Sequence, residues 1–200
     1  RNAKKLADQN HKDRFLSDQE LYQLLDALDN CRSRVVADII RLLVLTGARR
    51  GEAVGLRWDE LDLERGFWTI PAERNKSKKD KTIPLSREAL ELLRSRQEMT
   101  SSEYVFPNPD TGEPIKHFHG TWDRLRKAAG IPDVRIHDLR HSVASWLINS
   151  GRSLYEIKEL LGHADIATTQ RYAHLTEETL KDASETIGQR VGKWKDKKED

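Results

Sequence analysis

Residues 34–52 read RVVADIIRLLVLTGARRGE, a nearly continuous apolar run that ends in a glycine and a group of charged residues. The run from Arg34 to Thr46 predicts a buried helix, because a helix that is hydrophobic on most of its surface lies inside a protein. Gly47 is placed to end this helix, since glycine readily adopts the left-handed conformation of a helix C-terminus. Arg49 follows at this junction, where the backbone can approach a ligand closely.

The rest of the chain is predicted to be mostly helical with one small sheet. A capping box at Ser17–Glu20 begins an amphipathic helix, and a short helix is predicted through Glu52, Ala53 and Val54. Between Trp58 and Leu85, short strand-like runs separated by turns predict a small antiparallel sheet. Further helices are predicted at residues 87–97, 120–129, 137–149, 153–161, 166–172 and 177–188. The predicted fold class is therefore α+β, mostly α-helical.

Composition narrows the class of protein. Charged residues make up 34% of the 200 and hydrophobic residues 36%, which is typical of a soluble globular chain. No apolar run approaches the length of a membrane span, and the polar N-terminus does not resemble a signal peptide. The single cysteine, Cys31, excludes an internal disulfide and fits a reducing compartment. These observations predict a cytoplasmic protein with no membrane partner.

The distribution of charge points to nucleic acid more than the net charge does. The formal net charge is only +2, but basic residues crowd the segment before the last predicted strand. Such a cluster can follow a phosphate backbone, or it can be a solvated loop. The predicted DNA-backbone contacts in this segment are Arg74, Lys78, Lys79 and Lys81, and Lys76 lies among them.

Several polar residues have the chemistry needed to break a phosphodiester. The reaction requires an activated nucleophile, positive charge on the phosphate oxygens and a proton for the leaving oxygen. Guanidinium groups such as those of Arg49 and Arg140 stay charged and can bond two phosphate oxygens at once. His137 and Arg140 are one helical turn apart and share a helix face. Tyr172 could attack the phosphorus if a base or a cationic field activates its phenol.

The order and spacing of these residues resemble the tyrosine recombinases, the phage-integrase family. The resemblance covers about residues 15 to 180 and is closest to integrases of prophages and genomic islands. It implies the catalytic-domain fold of that family, with a three-stranded antiparallel sheet. The matching segments are Thr46-Gly47-x-Arg49-x-x-Glu52, Lys76 ahead of Pro84, His137-x-x-Arg140-His141, Leu161-Gly162-His163 and Arg171-Tyr172-Ala173-His174.

The resemblance implies a role for each matching residue. Tyr172 is expected to be the nucleophile that forms a 3′-phosphotyrosyl link to DNA, while Arg49 and Arg140 clamp the scissile phosphate. Lys76 is expected to be the general acid that protonates the departing 5′-oxygen, although Lys78 and Lys79 lie beside it.

The remaining matches are expected to assist. His163 would donate a hydrogen bond to the phosphate, and His137 would help to move the proton of the tyrosine. Glu52 would support the arginines, and His141 would be a packing or supporting residue. The resemblance implies no cofactor and no metal.

The resemblance also implies a domain organisation. Residues 1–14 are interpreted as a linker remnant, residues 15–190 as the catalytic domain and residues 191–200 as a charged, disordered tail. The partner is expected to be double-stranded DNA at attachment sites in the bacterial nucleoid, bound by a tetramer of the full-length protein. Residues 175–188 are the candidate helix for exchange between neighbours, and the fragment itself is expected to be monomeric. The tyrosine segment of such enzymes can be displaced until DNA binds.

Three other functions are compatible with parts of the pattern. A type IB topoisomerase would use similar chemistry to relax DNA, and a non-catalytic module would only contact phosphates. A metal hydrolase could use His137, His141, His117 and His119. However, no glutamate occupies the metal-protease position between His137 and His141, and no cysteine or carboxylate cluster completes a site.

Overall fold

The computed structural model describes residues 14–75, 77–115 and 117–162. Seven helices, one short 3-10 turn and three strands are formed by these residues. In chain order they are α1 Asp18–Asp29, α2 Arg34–Thr46, α3 Arg50–Val54, the 3-10 turn Trp58–Glu60, β1 Leu61–Asp62, β2 Phe67–Ile70, β3 Lys81–Pro84, α4 Arg87–Met99, α5 His119–Ala128, α6 Ile136–Asn149 and α7 Leu154–Leu161. The predicted fold class, mostly helical with a small sheet, is confirmed.

The predicted helices up to residue 161 are present, with ends that differ by at most two residues from those predicted. The helices predicted at residues 166–172 and 177–188 lie outside the described residues, and the predicted domain boundaries remain predictions. Within the described part of the chain, no helix is both long and apolar enough to cross a membrane.

Helix α2 is the centre of the domain and packs against α1, α4 and α6. It ends as predicted at Gly47, which has a φ of +62°. A Cβ atom at Gly47 would lie 2.5 Å from Cδ2 of Leu161 and 3.1 Å from Cγ1 of Val143. Glycine is therefore required at this position for two reasons: its backbone is left-handed, and α6 and α7 approach it closely.

The sheet is antiparallel, as predicted, and its strand order is β1-β2-β3. Trp68 on β2 is opposite Ile83 on β3, and both are fully buried. Because side chains alternate between the two faces of a strand, Lys81 lies on the same buried face as Ile83. Strand β3 also contacts α7, so the sheet directs Lys81 toward the end of that helix.

The first turn of helix α6 is fixed by the side chain of Asp138, a contact that the sequence analysis did not predict. The backbone N–H of Arg135 donates to the carboxylate of Asp138 over 2.8 Å, and the Asp138 side chain is fully buried. The contact was missed because the N-cap is Arg135, which cannot accept a hydrogen bond as the serine or threonine of a capping box does. This turn sets the direction in which His137 and Arg140 leave the helix.

The segment before α1 is tied to the same helix. The backbone N–H of Leu16 donates to Oγ of Ser142 over 2.8 Å, and the indole N–H of Trp146 donates to the carbonyl of Leu16 over 3.0 Å. Leu16 is itself fully buried in the core. Helix α6 is therefore held by packing on α2 and by hydrogen bonds to the chain before α1.

Candidate active site

The carboxylate of Glu52 is the centre of the charged cluster. Its Oε1 accepts from Nη1 of Arg49 over 2.7 Å, and its Oε2 accepts from the backbone N–H of Arg49 over 2.8 Å and from Nζ of Lys81 over 3.1 Å. The Glu52 side chain is 5% exposed. Burial raises the pKa of this carboxyl, but the charges and hydrogen bonds of Lys81 and Arg49 outweigh that effect and lower the pKa. Glu52 is therefore an ionised anchor for Arg49.

The guanidinium of Arg140 joins three distant parts of the chain. It is buried at the start of α6, and its Nη1 donates to the carbonyl of Gly47 over 2.6 Å. Its Nη2 donates to the carbonyl of Leu161 over 2.7 Å. Nη2 of Arg49 donates to the next carbonyl, that of Gly162, over 3.2 Å. The two arginines thus meet at the C-terminus of α7, where the helix dipole favours cations.

The cluster contains more positive than negative charge. Among the described residues, Arg49 and Lys81 bind the carboxylate of Glu52, and the charge of Arg140 also acts on Lys81. Burial lowers the pKa of Lys81 to about 8; Glu52 opposes this shift, and the charges of Arg140 and Arg49 add to it. A site with this balance attracts an anion such as a phosphodiester.

Two histidines extend from the same helix as Arg140. The rings of His137 and His141 meet edge to face, with centroids 4.8 Å apart. The pKa of His137 is lowered by partial desolvation and then by the charge of Arg140. Because His137 as a residue is exposed, solvent screens that charge and the ring can be reached from outside. Burial lowers the pKa of His141 to about 4, with a further contribution from His137. A neutral imidazole can accept a proton, as the expected assisting role of His137 requires.

Lys81 does not occupy the position predicted for it. We predicted a contact with the DNA backbone, but the Lys81 side chain is only 5% exposed and points at Glu52. The physical reason is its place in β3, where alternation puts it on the inner face of the sheet. The strand pattern of the sequence contains this signal, since Lys81 and Ile83 are two residues apart.

The other basic residues of the segment fall into two groups. Arg74 is half-buried: its Nη1 is bonded to the carboxylate of Glu60, and its Nη2 donates to the carbonyl of Glu52 over 3.1 Å. Lys78 and Lys79 are exposed on the loop between β2 and β3, so they remain accessible to a ligand. Their contact with DNA, like that of Arg74, is still a prediction.

A buried asparagine organises this loop. Asn75 is 5% exposed, and its Nδ2 donates to the carbonyl of Lys79 over 2.6 Å. Its own carbonyl accepts from the backbone N–H of Lys78 over 3.0 Å, and Lys78 has a left-handed φ of +56°. Lys76, which follows Asn75 in the sequence, lies outside the described residues. His163 and Tyr172 also lie outside them, so their predicted roles remain predictions.

A basic groove opens beside His137. It has a volume of about 640 Å³ and lies between α5 and the start of α6. Its lining includes Arg50, Arg126 and Arg135 together with Asp123.

A larger cavity of about 830 Å³ lies between α1 and α5 and contains none of the predicted site residues. In residues 14–75, 77–115 and 117–162, no three histidine, cysteine or carboxylate side chains are grouped as a metal site would need.

The fold and the site thus define a mostly helical domain in which two arginines meet at the end of a helix, and one of them shares a buried glutamate with a lysine. The chain belongs to the phage integrase family, whose model matches residues 14–179. This confirms the resemblance to tyrosine recombinases.

Known relatives and solved structures agree with this assignment. The chain is 34% identical over 178 residues to the tyrosine recombinase XerA of Pyrococcus furiosus, an alignment that covers 85% of this chain and 60% of that protein. The crystal structure of the XerH recombinase bound to its palindromic difH substrate, a post-cleavage complex, has a TM-score of 0.71 and 27% identity and covers 88% of this chain and 53% of that one. The catalytic domain of bacteriophage HP1 integrase has a TM-score of 0.66 and 28% identity, covering 86% and 93%.

Proposed function

We propose that this chain is the catalytic domain of a site-specific DNA recombinase that cuts and rejoins DNA strands through Tyr172. The observation that carries the proposal is the convergence of Arg49 and Arg140 on adjacent carbonyls at the end of α7. A cluster of cations that exceeds its carboxylate is suited to hold two oxygens of a phosphate. The chain spans 60% of the length of its XerA relative, so the activity of the whole protein is part of this proposal.

The proposed reaction is a transesterification at phosphorus. The phenol oxygen of Tyr172 attacks the scissile phosphate, a bond from that oxygen to phosphorus forms, and the bond from phosphorus to the 5′-oxygen breaks. His137 assists removal of the phenol proton, and Lys76 gives a proton to the leaving 5′-oxygen. His163 adds a hydrogen bond to the phosphate. Reversal of these steps with another 5′-hydroxyl rejoins the strand, because the phosphotyrosine conserves the ester bond energy.

The proposed partner is double-stranded DNA in the bacterial cytoplasm, held as a tetramer across two attachment sites. Lys78 and Lys79 on the β2–β3 loop and the basic groove beside His137 support this proposal, because cations outside the cluster can follow the backbone on either side of the scissile phosphate. Residues 175–188 are the proposed exchanged helix.

Covalent capture on a mixed pool of DNA tests the proposal for any target sequence. A pool of nicked duplexes with a randomised core is incubated with the protein in excess chelator, and a denaturing gel separates protein that has become attached to DNA. The wild-type chain should give an attached band, Tyr172→Phe should give none, and the two proteins should bind DNA equally. Sequencing of the captured strands identifies the preferred core.

Each alternative predicts a different result. Attachment by Tyr172→Phe would exclude Tyr172 as the nucleophile. Dependence on added metal would favour a hydrolase, and DNA binding without any attachment would favour a non-catalytic module. Relaxation of supercoiled plasmid with no sequence preference among the captured strands would favour a topoisomerase.

A further inference from the structure

We propose that Lys81 is a positioning residue of this active site, which holds Glu52 ionised and fixes the turn at Gly162 so that Arg49 keeps its place. The inference rests on the proposed function, since it concerns the same reaction. It gives a task to a buried cation that does not line the basic groove and is enclosed by the domain itself.

The first support is the contact between Lys81 and Glu52. Both side chains are 5% exposed, and Nζ lies 3.1 Å from Oε2. The same oxygen accepts from the backbone N–H of Arg49, and the other oxygen holds Nη1 of that arginine. Burial raises the pKa of Glu52, and the charge of Lys81 is the largest single influence that lowers it. The charge of Lys81 therefore acts on Arg49 through Glu52.

The second support is the packing of the lysine chain against the end of α7. A Cβ atom at Gly162 would lie 2.6 Å from Cε and 2.7 Å from Cδ of Lys81. Gly162 is left-handed, with a φ of +66°, and its carbonyl accepts from Nη2 of Arg49. Lys81 thus contacts both of the groups that bind the Arg49 guanidinium, one through its ammonium and one through its methylenes.

The third support is that Lys81 is buried and bonded to Glu52, and does not line the basic groove. Its ammonium is directed at Glu52 inside the domain, and in the described part of the chain the charged groups that act on it are Glu52 and Arg49 at the start of α3 and Arg140 on α6. Gly162 at the end of α7 contributes only backbone. A proton donor to a leaving group must reach that group, whereas a positioning residue needs only the contacts that Lys81 already makes.

The test compares Lys81→Met, which keeps the length of the side chain but removes the charge, with wild type. The measured quantity is the single-turnover rate of covalent capture on the duplex pool. At pH 7 we expect Lys81→Met to be slower by about 10- to 100-fold, the effect of a small displacement of a catalytic group. Because the pKa of Lys81 is about 8, this ratio should shrink toward one as the pH rises above 8. A ratio that stays constant from pH 7 to about 9.5 would overturn the role of the charge.

Two further measurements separate positioning from other roles. The double variant Glu52→Gln/Lys81→Met should be no slower than Glu52→Gln alone, because Lys81 acts through Glu52; additive losses would contradict the proposal. A duplex with a 5′-bridging sulfur, which leaves without a proton, should not rescue Lys81→Met. Rescue would make Lys81 the general acid instead.

Controls keep this inference distinct from the proposed function. Arg87→Met removes an exposed cation that lies 2.9 Å from Glu91 and should leave the capture rate unchanged. Thermal unfolding of Lys81→Met at pH 7 should occur below the wild-type midpoint, because the substitution breaks the buried pair with Glu52, and capture is therefore measured at a temperature at which both proteins are folded. If wild type itself captures no DNA, the proposed function fails; if wild type and Lys81→Met capture DNA at equal rates, only the role of Lys81 fails.

Discussion

The guanidinium of Arg140 donates a 2.6 Å hydrogen bond to the carbonyl of Gly47, a residue 93 positions earlier in the chain. This bond joins the start of α6 to the end of α2, and the other amino group of Arg140 bonds the end of α7. The position of Arg140 is therefore set by three helices at once. Changes at any of the three ends should reach the site.

Loss of either arginine should cripple cleavage. Arg49→Ala and Arg140→Ala each remove a cation expected on the phosphate, and one such contact is worth about 10²–10³ in rate. The single-turnover rate of covalent capture on the duplex pool measures the loss. Arg87→Ala, an exposed arginine on α4, should capture at the wild-type rate. Wild-type rates in Arg49→Ala or Arg140→Ala would remove that residue from the proposed mechanism.

The proposed general acid can be identified by the chemistry of the leaving group. Lys76→Ala should be slower by about 10²–10⁴, the usual contribution of an acid–base group. A 5′-bridging sulfur in place of oxygen needs no proton to depart, so that substrate should restore the rate of Lys76→Ala. The same substrate should leave Arg49→Ala slow. If Lys76→Ala is not restored, Lys78→Ala and Lys79→Ala become the variants to measure.

Removal of the Glu52 charge should destabilise the domain. Glu52→Gln leaves Arg49 and Lys81 without their shared carboxylate, and breaking a buried ion pair costs about 3–5 kcal/mol. Urea unfolding at pH 7 measures this loss of free energy of unfolding. Glu91→Gln breaks an exposed pair on α4 and should unfold at the same urea concentration as wild type. Equal midpoints for Glu52→Gln and Glu91→Gln would mean that Glu52 is not an anchor.

A methyl group at Gly162 should disturb the site more than one at Gly151. Both glycines are left-handed, with φ of +66° and +79°, and a residue with a Cβ atom costs about 1–3 kcal/mol there. Only Gly162 faces a contact, since a Cβ atom at Gly151 has nothing within 4 Å. Gly162→Ala should therefore lose more stability in urea and should also slow covalent capture. Identical unfolding curves and capture rates for the two variants would show that Lys81 moves aside without cost.

Acid should weaken the fold through His141. Its pKa in the folded chain is about 4, below its ordinary value of 6.5, so the unfolded chain binds more protons between these values. Stability from this group is complete above about pH 6.5 and is lost as the pH falls toward about 4. His141→Gln should therefore lose less stability than wild type between about pH 7 and pH 4.5, as measured by urea unfolding. His117→Gln, at an exposed position, should follow the wild-type curve.

Local patterns in the sequence predicted the fold well. The apolar run of α2 and its terminal Gly47 correctly predicted where that helix begins and ends. Strand-like runs around Trp68 and Ile83 predicted the sheet. The structure shows that these two residues are opposite each other on β2 and β3. These elements depend on periodicity and on glycine geometry, both of which are local properties.

The parts of the site that were missed depend on contacts between distant residues. The basic segment before β3 forms one cluster in the sequence, yet Lys81 begins β3 on its buried face, whereas Lys79 lies in the exposed loop before the strand. The bonds from Arg140 to the carbonyls of Gly47 and Leu161 leave no trace in composition, because any residue supplies a carbonyl. The resemblance to a family identified Arg49 and Arg140 as site residues, but only the three-dimensional structure shows which groups bind their guanidiniums.

The carbonyls at the end of α7 also determine when the charged cluster can assemble during synthesis of the chain. Arg49 and Lys81 leave the ribosome before Leu161 and Gly162 are synthesised. The carbonyl oxygens of Leu161 and Gly162, which complete the cluster, are therefore absent at that stage. Contacts between such distant residues form slowly, after local helices. A growing chain, or one that ends before Leu161, lacks these carbonyls and therefore has no assembled arginine pair. The pair is complete only once α7 has docked on the rest of the domain.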